Sequence, residues 1–233
     1  MGKIFCIPYA GSSAAIYNHW NKEVEQGWEI IPVELSGRGS RFGESLYNNI
    51  EDTVEDIYKR IGNYLFENYI IYGHSMGALI AYELTKKIHQ NHAPSPRHII
   101  FSGCVPPNKF QLAGIDLNSD DQIKQKLLSL GGTSSQVIEN PEHISVFLPI
   151  LRADFHLLQQ YVYQRKDHLL TEDISVFYGK NDNNVSIKDV RKWDVMTSGK
   201  TYYHTFEGDH FFLNSKTNEV MDCIRQICRN VLK

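Results

Sequence analysis

The segment from Tyr69 to Ala81 constrains this chain more than any other. It reads Tyr69-Ile70-Ile71-Tyr72-Gly73-His74-Ser75-Met76-Gly77-Ala78-Leu79-Ile80-Ala81. The apolar run Tyr69 to Tyr72 has the look of a buried strand, and Met76 to Ile88 has helical periodicity. Gly-x-Ser-x-Gly joins them, so the chain must turn sharply from strand to helix. Glycines at positions 73 and 77 remove side chains that would collide in such a turn. The turn presents the Ser75 hydroxyl at its tip, close to the partial positive charge of a helix N-terminus. His74 points away from Ser75 on this turn and is expected to pack or to hydrogen-bond rather than act as its base.

The rest of the chain repeats the strand-then-helix pattern. Ile4 to Pro8, Trp28 to Val33, His98 to Ser102, Ile174 to Tyr178 and Thr201 to Phe206 read as further strands. Several are nearly continuous apolar runs, as expected of parallel strands covered on both faces. Helical patterns cover Ile50 to Leu65 and Thr217 to Leu232. Strands alternating with helices imply crossover units and a mostly parallel sheet. From about Lys109 to Lys166 the alternation stops. Ile123, Leu127, Leu128 and Leu130 recur at helical spacing, as do Val146, Phe147, Ile150, Leu151, Phe155 and Leu158. This stretch is read as a helical lid inserted into one domain spanning residues 1–233.

Composition excludes several classes of function. The net charge of −3 provides no basic field for nucleic acid or anionic lipid. Lys86-Lys87 reads as a solvated helix face. The apolar N-terminal run is too short for a signal peptide and is cut by Pro8. No stretch approaches the ~20 apolar residues of a membrane helix. A cytoplasmic location is expected. The cysteines, Cys6, Cys104, Cys223 and Cys228, have no zinc or Cys-x-x-Cys spacing and are expected to be free, buried thiols. His89-x-x-His92 supplies only two possible metal ligands, and a surface role is the better reading.

A serine hydroxyl needs a base, and the base needs an orienting carboxylate. Asp182 follows the strand Ile174 to Tyr178 and so lies at its carboxyl end, where chemistry gathers in open α/β sheets. Asp189 and Asp194 fall in the following helix, and Asp173 lies at the wrong end of the strand. His210 lies just past the strand ending at Phe206. His204 is inside that strand, and the earlier histidines precede Asp182. The order Ser75, Asp182, His210 is that of the α/β-hydrolase fold. An oxyanion hole requires two backbone N–H groups. Met76 is expected to supply one. Ala10, in the loop Pro8-Tyr9-Ala10-Gly11-Ser12-Ser13, is expected to supply the other, with Gly11 as the competitor. This loop lacks the Gly-x-Gly-x-x-Gly and Gly-Lys-Ser/Thr patterns of a phosphate cradle.

These residues resemble the type II thioesterases, the stand-alone editing enzymes of nonribosomal peptide and polyketide synthesis. The resemblance covers nearly the whole chain. Pro8-Tyr9-Ala10-Gly11 is similar to the family's opening, and Trp20 to a recurrent tryptophan after it. Glu34-Leu35-Ser36-Gly37-Arg38-Gly39-Ser40-Arg41 resembles a Pro-Gly-Arg-Gly-x-Arg stretch. Gly208-Asp209-His210-Phe211-Phe212-Leu213 resembles the family's histidine loop. Leu130-Gly131-Gly132-Thr133, Asn140-Pro141-Glu142, Leu148-Pro149-Ile150-Leu151-Arg152-Ala153-Asp154-Phe155 and Tyr161 resemble its lid. Ser36, Ser12 and Asn183 depart from the family, which favours proline, glycine and proline there.

The resemblance implies hydrolysis of acyl or aminoacyl thioesters from the phosphopantetheine arm of acyl or peptidyl carrier protein domains. It implies no metal or redox cofactor. A monomer is the default expectation. A carboxylesterase or a medium-chain fatty acyl thioesterase is the alternative enzyme. A degenerate hydrolase serving as a binding module is the alternative outside catalysis, although all three triad residues are present.

Overall fold

The computed structural model of the protein describes residues 1–112, 114–131, 141–164 and 169–231. Six strands form one sheet: β1 (Gly2–Ile7), β2 (Trp28–Pro32), β3 (Tyr69–His74), β4 (His98–Ser102), β5 (Ile174–Gly179) and β6 (Thr201–Phe206). Their order is β2-β1-β3-β4-β5-β6, and every adjacent pair is parallel. This is the α/β-hydrolase sheet expected from the alternating pattern.

The continuous apolar runs have a direct cause. Side chains alternate across a strand, and here both faces are covered. Phe5, Ile7, Ile71, Ile99, Phe101, Ile174 and Val176 point into one core, whereas Ile4, Cys6, Ile70, Tyr72, Ile100 and Phe177 point into the other. The first core is roofed by α1 (Ile50–Ile61) and α2 (Met76–Gln90). Asn49 caps α1 by accepting the Asp52 N–H at 2.7 Å, and Ile50, Val54, Ile57 and Ile61 form its buried stripe. β6 differs from the other strands. As an edge strand it buries only Phe206 fully, and Tyr202 stands 43% exposed.

Between β4 and β5 lie α3 (Asp120–Leu130) and α4 (Pro141–Gln160). They occupy the stretch read as a lid, of which residues 113, 132–140 and 165–166 lie outside the described residues. Gly132, Thr133 and Asn140 of the lid resemblance therefore lie outside them too. Ile123, Leu127, Ile150, Leu151, Phe155 and Leu158 are buried as the spacing predicts, whereas Leu128 and Val146 are exposed. The second core is closed by α5 (Thr217–Val231), which buries Val220, Met221, Ile224, Ile227 and Cys228. Leu232 lies outside the described residues.

Two stretches differ from what the hydrophobic pattern shows. The first helix was read through to Leu65, but its α-helical part ends at Ile61 and a 3₁₀ turn covers Gly62–Tyr64. Glycine is a poor helix former, and the tighter turn takes over there. Residues Ala14–Lys22 form a 3₁₀ helix that the sequence reading left unassigned. It buries Ala14, Tyr17 and Trp20, a spacing of three that suits 3₁₀ geometry and escapes a search for 3.6. All four cysteines are free, and three are buried while Cys223 is half-buried.

Gly77 gives a test of sign. It lies in the first turn of α2, where Gly→Ala ordinarily gains about 1 kcal/mol of helix propensity. A Cβ at Gly77 would sit 2.2 Å from the backbone oxygen of Ile7. Overpacking against backbone costs about 1–3 kcal/mol or more. Gly77→Ala is therefore expected to lower the urea midpoint, and an unchanged or raised midpoint would contradict this packing.

Candidate active site

β1 sits between β2 and β3, so the crossovers after β1 and β3 leave in opposite directions from neighbouring strand ends. Such a switch point opens a crevice at the carboxyl edge of the sheet. Ile7 pairs with Gly73, which puts the Pro8–Ser13 loop beside the turn at Ser75.

Ser75 has φ 54° and ψ −116°, a strained conformation for a residue with a side chain. The glycines on either side make it possible. A Cβ at Gly73 would lie 2.1 Å from the Gly77 carbonyl oxygen, so strand and helix approach too closely for any side chain there.

The structure brings together the three residues selected from the sequence. His210 Nε2 lies 2.9 Å from Ser75 Oγ, and His210 Nδ1 lies 2.6 Å from Asp182 Oδ2. Asp182 Oδ1 accepts the N–H of Asn184 at 2.8 Å, which fixes the carboxylate. The loops carrying acid and base are joined by hydrogen bonds from Lys180 N–H to Phe206 O at 2.8 Å and from Asn181 N–H to Gly208 O at 2.9 Å. Phe211, Phe212 and Leu213 are buried and pack the histidine loop down, with Phe212 stacked on Phe206 at 4.9 Å. Asp182 and His210 are themselves nearly buried. The rejected carboxylates have other partners. Asp189 pairs with Lys192, Asp194 accepts from the Tyr203 hydroxyl, and Asp173 accepts the Lys200 N–H.

His74 packs behind the base. Its Nδ1 lies 2.8 Å from Ser102 Oγ, and its ring is 5.3 Å from that of His210. Burial, reinforced by His210, pushes its pKa well below the usual histidine value. His89 Nε2 lies 2.7 Å from Glu172, while His92 is exposed, so this pair is not assembled as a metal site.

The two candidates for the first oxyanion donor differ in what their N–H groups meet. The Gly11 N–H is already taken, donating to Asp154 Oδ2 at 2.7 Å. The Ala10 N–H has no acceptor among the described residues. Met76 begins α2, so its N–H precedes the helical ladder and has no acceptor among the described residues. Ser12, where glycine would be usual, still closes the loop through its N–H to Tyr9 O at 3.1 Å. Ser36, in place of proline, fastens its own loop by donating from Oγ to Ser45 O at 2.6 Å.

A cavity of about 330 Å³ opens onto Ser75, His210 and Ala10. Val105, Phe110, Leu112, Phe155, Leu158 and Val185 give it an apolar wall, and Lys109, Lys126 and Asn184 also line it. A second cavity of about 370 Å³, lined by His98, Ser175, Tyr202 and His204, includes none of the Ser75, Asp182 and His210 group. Its His98 and Ser175 pair with each other at 2.9 Å. The chemistry therefore selects the smaller cavity. Sequence reasoning assigned no role to Glu34, Arg38 or Asp154, which lie behind the oxyanion loop. A charged residue inside an apolar helical stripe, as at Asp154, was the available signal.

A serine, histidine and aspartate joined in sequence on an α/β sheet, under a helical cover and facing an apolar cavity, define a serine hydrolase of the α/β-hydrolase class. A family model for the thioesterase domain matches residues 2–228, and the chain belongs to that family. It is 34% identical to the gramicidin S biosynthesis protein GrsT of Aneurinibacillus migulanus, over 99% of this chain and 90% of that protein. It is 31% identical to the medium-chain S-acyl fatty acid synthase thioesterase of Rattus norvegicus, over 93% of this chain and 83% of that one. The crystal structure of ClbQ, from the colibactin NRPS/PKS pathway, superposes with a TM-score of 0.92 at 32% identity, covering 99% of this chain and 98% of that one. The resemblance to type II thioesterases is borne out, and the chain is a thioester hydrolase. Among the described residues no helix is long and apolar enough to cross a membrane.

The buried histidines make stability sensitive to acid. The native pKa of His74 lies below its unfolded value of about 6.5. The unfolded chain therefore takes up a proton that the native state refuses, and stability falls as pH drops below that value. His98, pushed down to about 4 by burial, adds to the same slope. Urea midpoints are expected to fall between about pH 7.5 and about pH 5, and less steeply in His74→Gln. Parallel curves for parent and variant would argue against a neutral, buried His74.

Proposed function

We propose that this protein releases acyl groups from the phosphopantetheine thioester of acyl or peptidyl carrier domains, as an editing or regenerating enzyme of nonribosomal peptide or polyketide synthesis. The hydrogen-bonded series Asp182, His210 and Ser75 at the apolar cavity carries the chemistry. The similarity to GrsT and ClbQ, rather than to the fatty acid synthase enzyme alone, supports the carrier substrate.

The steps follow from the geometry. His210 Nε2 takes the Ser75 proton as Oγ attacks the thioester carbonyl. Asp182 accepts the Nδ1–H throughout, holding one tautomer and stabilising the imidazolium. The carbonyl oxygen becomes an oxyanion facing the Ala10 N–H of the loop after β1 and the Met76 N–H at the start of α2. The tetrahedral intermediate collapses, the C–S bond breaks, and His210 returns its proton to the departing sulfur. Water then enters, His210 removes its proton, and the acyl-enzyme ester is cleaved to release the acid and regenerate Ser75. The Ser75 proton leaves on the thiol, a proton from water replaces it on Oγ, and His210 ends neutral as it began, so the cycle consumes one water and needs no further acid or base.

The expected consequences are large. Ser75→Ala should lose roughly 10⁴-fold or more in kcat, and Asp182→Asn about 10⁴-fold, with the fold retained. Full activity in Ser75→Ala would remove the nucleophile. Turnover of an acylated carrier protein should exceed that of the matching acyl-CoA and p-nitrophenyl ester in kcat/KM. Equal or better values on the simple ester would favour a general esterase.

A further inference from the structure

The loop that carries Ala10 is held from outside by charges that the mechanism does not use. Asp154 is 0% exposed and Arg38 2% exposed. Arg38 grips the carboxylate with both terminal nitrogens, Nη1 to Oδ2 at 2.5 Å and Nη2 to Oδ1 at 2.7 Å. Oδ2 also accepts the Gly11 N–H at 2.7 Å. Three distant parts of the chain meet here: the loop after β1, the loop after β2, and α4 of the lid.

Packing repeats the message. Gly11 has φ 77°, and a Cβ there would lie 2.7 Å from the Phe147 ring and 3.1 Å from Leu151. Phe147, Leu151 and Asp154 are spaced i, i+4, i+7, so one face of α4 rests on Gly11. The other end of the loop is tied by Glu34, whose Oε2 accepts from Ser13 Oγ at 2.7 Å and whose Oε1 accepts the Ala14 N–H at 3.0 Å.

Burying two charges is costly, and apolar replacement of such a pair is often neutral or stabilising. Arg38 also leaves its buried Nε without a partner among the described residues. Net stability is thus a poor explanation for the pair. An oxyanion hole, by contrast, works only if its donors are fixed before the reaction begins.

We propose that Asp154, clamped by Arg38, is a positioning residue of the oxyanion hole: by holding the Gly11 N–H it fixes the preceding residue, so that the Ala10 N–H meets the reacting carbonyl oxygen. The lid helix thereby serves the chemistry as well as covering the cavity. This rests on the reading of Ala10 as an oxyanion donor in a serine hydrolase.

The test separates the acceptor from the charge. Arg38→Met/Asp154→Leu removes both charges and the acceptor together, leaving no orphaned ion. Arg38→Met/Asp154→Asn removes the charges but keeps an amide oxygen for Gly11. On a p-nitrophenyl ester, the first variant is expected to lose about 10–100-fold in kcat with KM within about threefold, because the donor is displaced rather than deleted. Its affinity for an alkyl boronic acid, which forms a tetrahedral adduct on Ser75, should fall in parallel with kcat/KM. The pH midpoint of kcat should stay in place, since His210 and Asp182 are untouched. The second variant should recover most of the lost kcat.

A folded Arg38→Met/Asp154→Leu enzyme with kcat within about threefold of the parent would overturn the proposal. So would a folded asparagine variant that loses activity as badly as the leucine one. If neither variant folds, amide exchange at Gly11 in the unaltered protein decides. It should be roughly 100-fold slower than in an open loop, and free exchange would overturn the assignment. An unaltered protein without Ser75-dependent turnover would instead sink the hydrolase reading itself.

Discussion

The parallel pairing of β1 with β3 is the contact on which the site depends. It skips β2 and so reverses the direction in which the chain is laid down across the sheet. That reversal places the loop after Ile7 against the turn after His74, so that Ala10 and Ser75 line one cavity. The glycines at 73 and 77 then let β3 and α2 close to a separation that side chains would forbid. Strain at Ser75 is sustained because the sheet below and the helix above both over-determine it.

Around that contact the remaining groups are placed by strand ends. Asp182 follows β5 and His210 follows β6, adjacent parallel strands whose loops are laced together by backbone hydrogen bonds. The base is therefore aligned by the sheet before any substrate arrives. His74 contributes from behind as a neutral ring, since a second charged imidazole against His210 would be repelled as well as desolvated.

Much of this was legible in the sequence. The strands are continuous apolar runs because two cores share one sheet, and the triad is ordered by the strands that carry it. What escaped notice has physical reasons. Ala14–Lys22 repeats every third residue and falls between the two periods that mark strands and α-helices. Gly62 ends α1 earlier than hydrophobic spacing suggests, because spacing does not report backbone entropy. The sequence favours Ala10 over Gly11 but does not show that Asp154, far along the chain, takes the Gly11 N–H. Arg38 and Asp154 lie 116 residues apart. Nothing in the sequence pairs them, and only the fold makes them partners.

The order of the strands also governs when the enzyme can first act. Synthesis runs from the N-terminus, at about 5–20 residues per second. Ser75, its turn and the Pro8–Ser13 loop all lie within the first 90 residues, in the links that follow β3 and β1. The acid and the base arrive only with the loops after β5 and β6, near the far end of the chain. A chain that stops short of β5 thus holds Ser75 without Asp182 or His210, the two residues joined to it by hydrogen bonds in the full sheet. The series Asp182, His210 and Ser75 is complete only with the loop after β6, the edge strand at one side of the sheet.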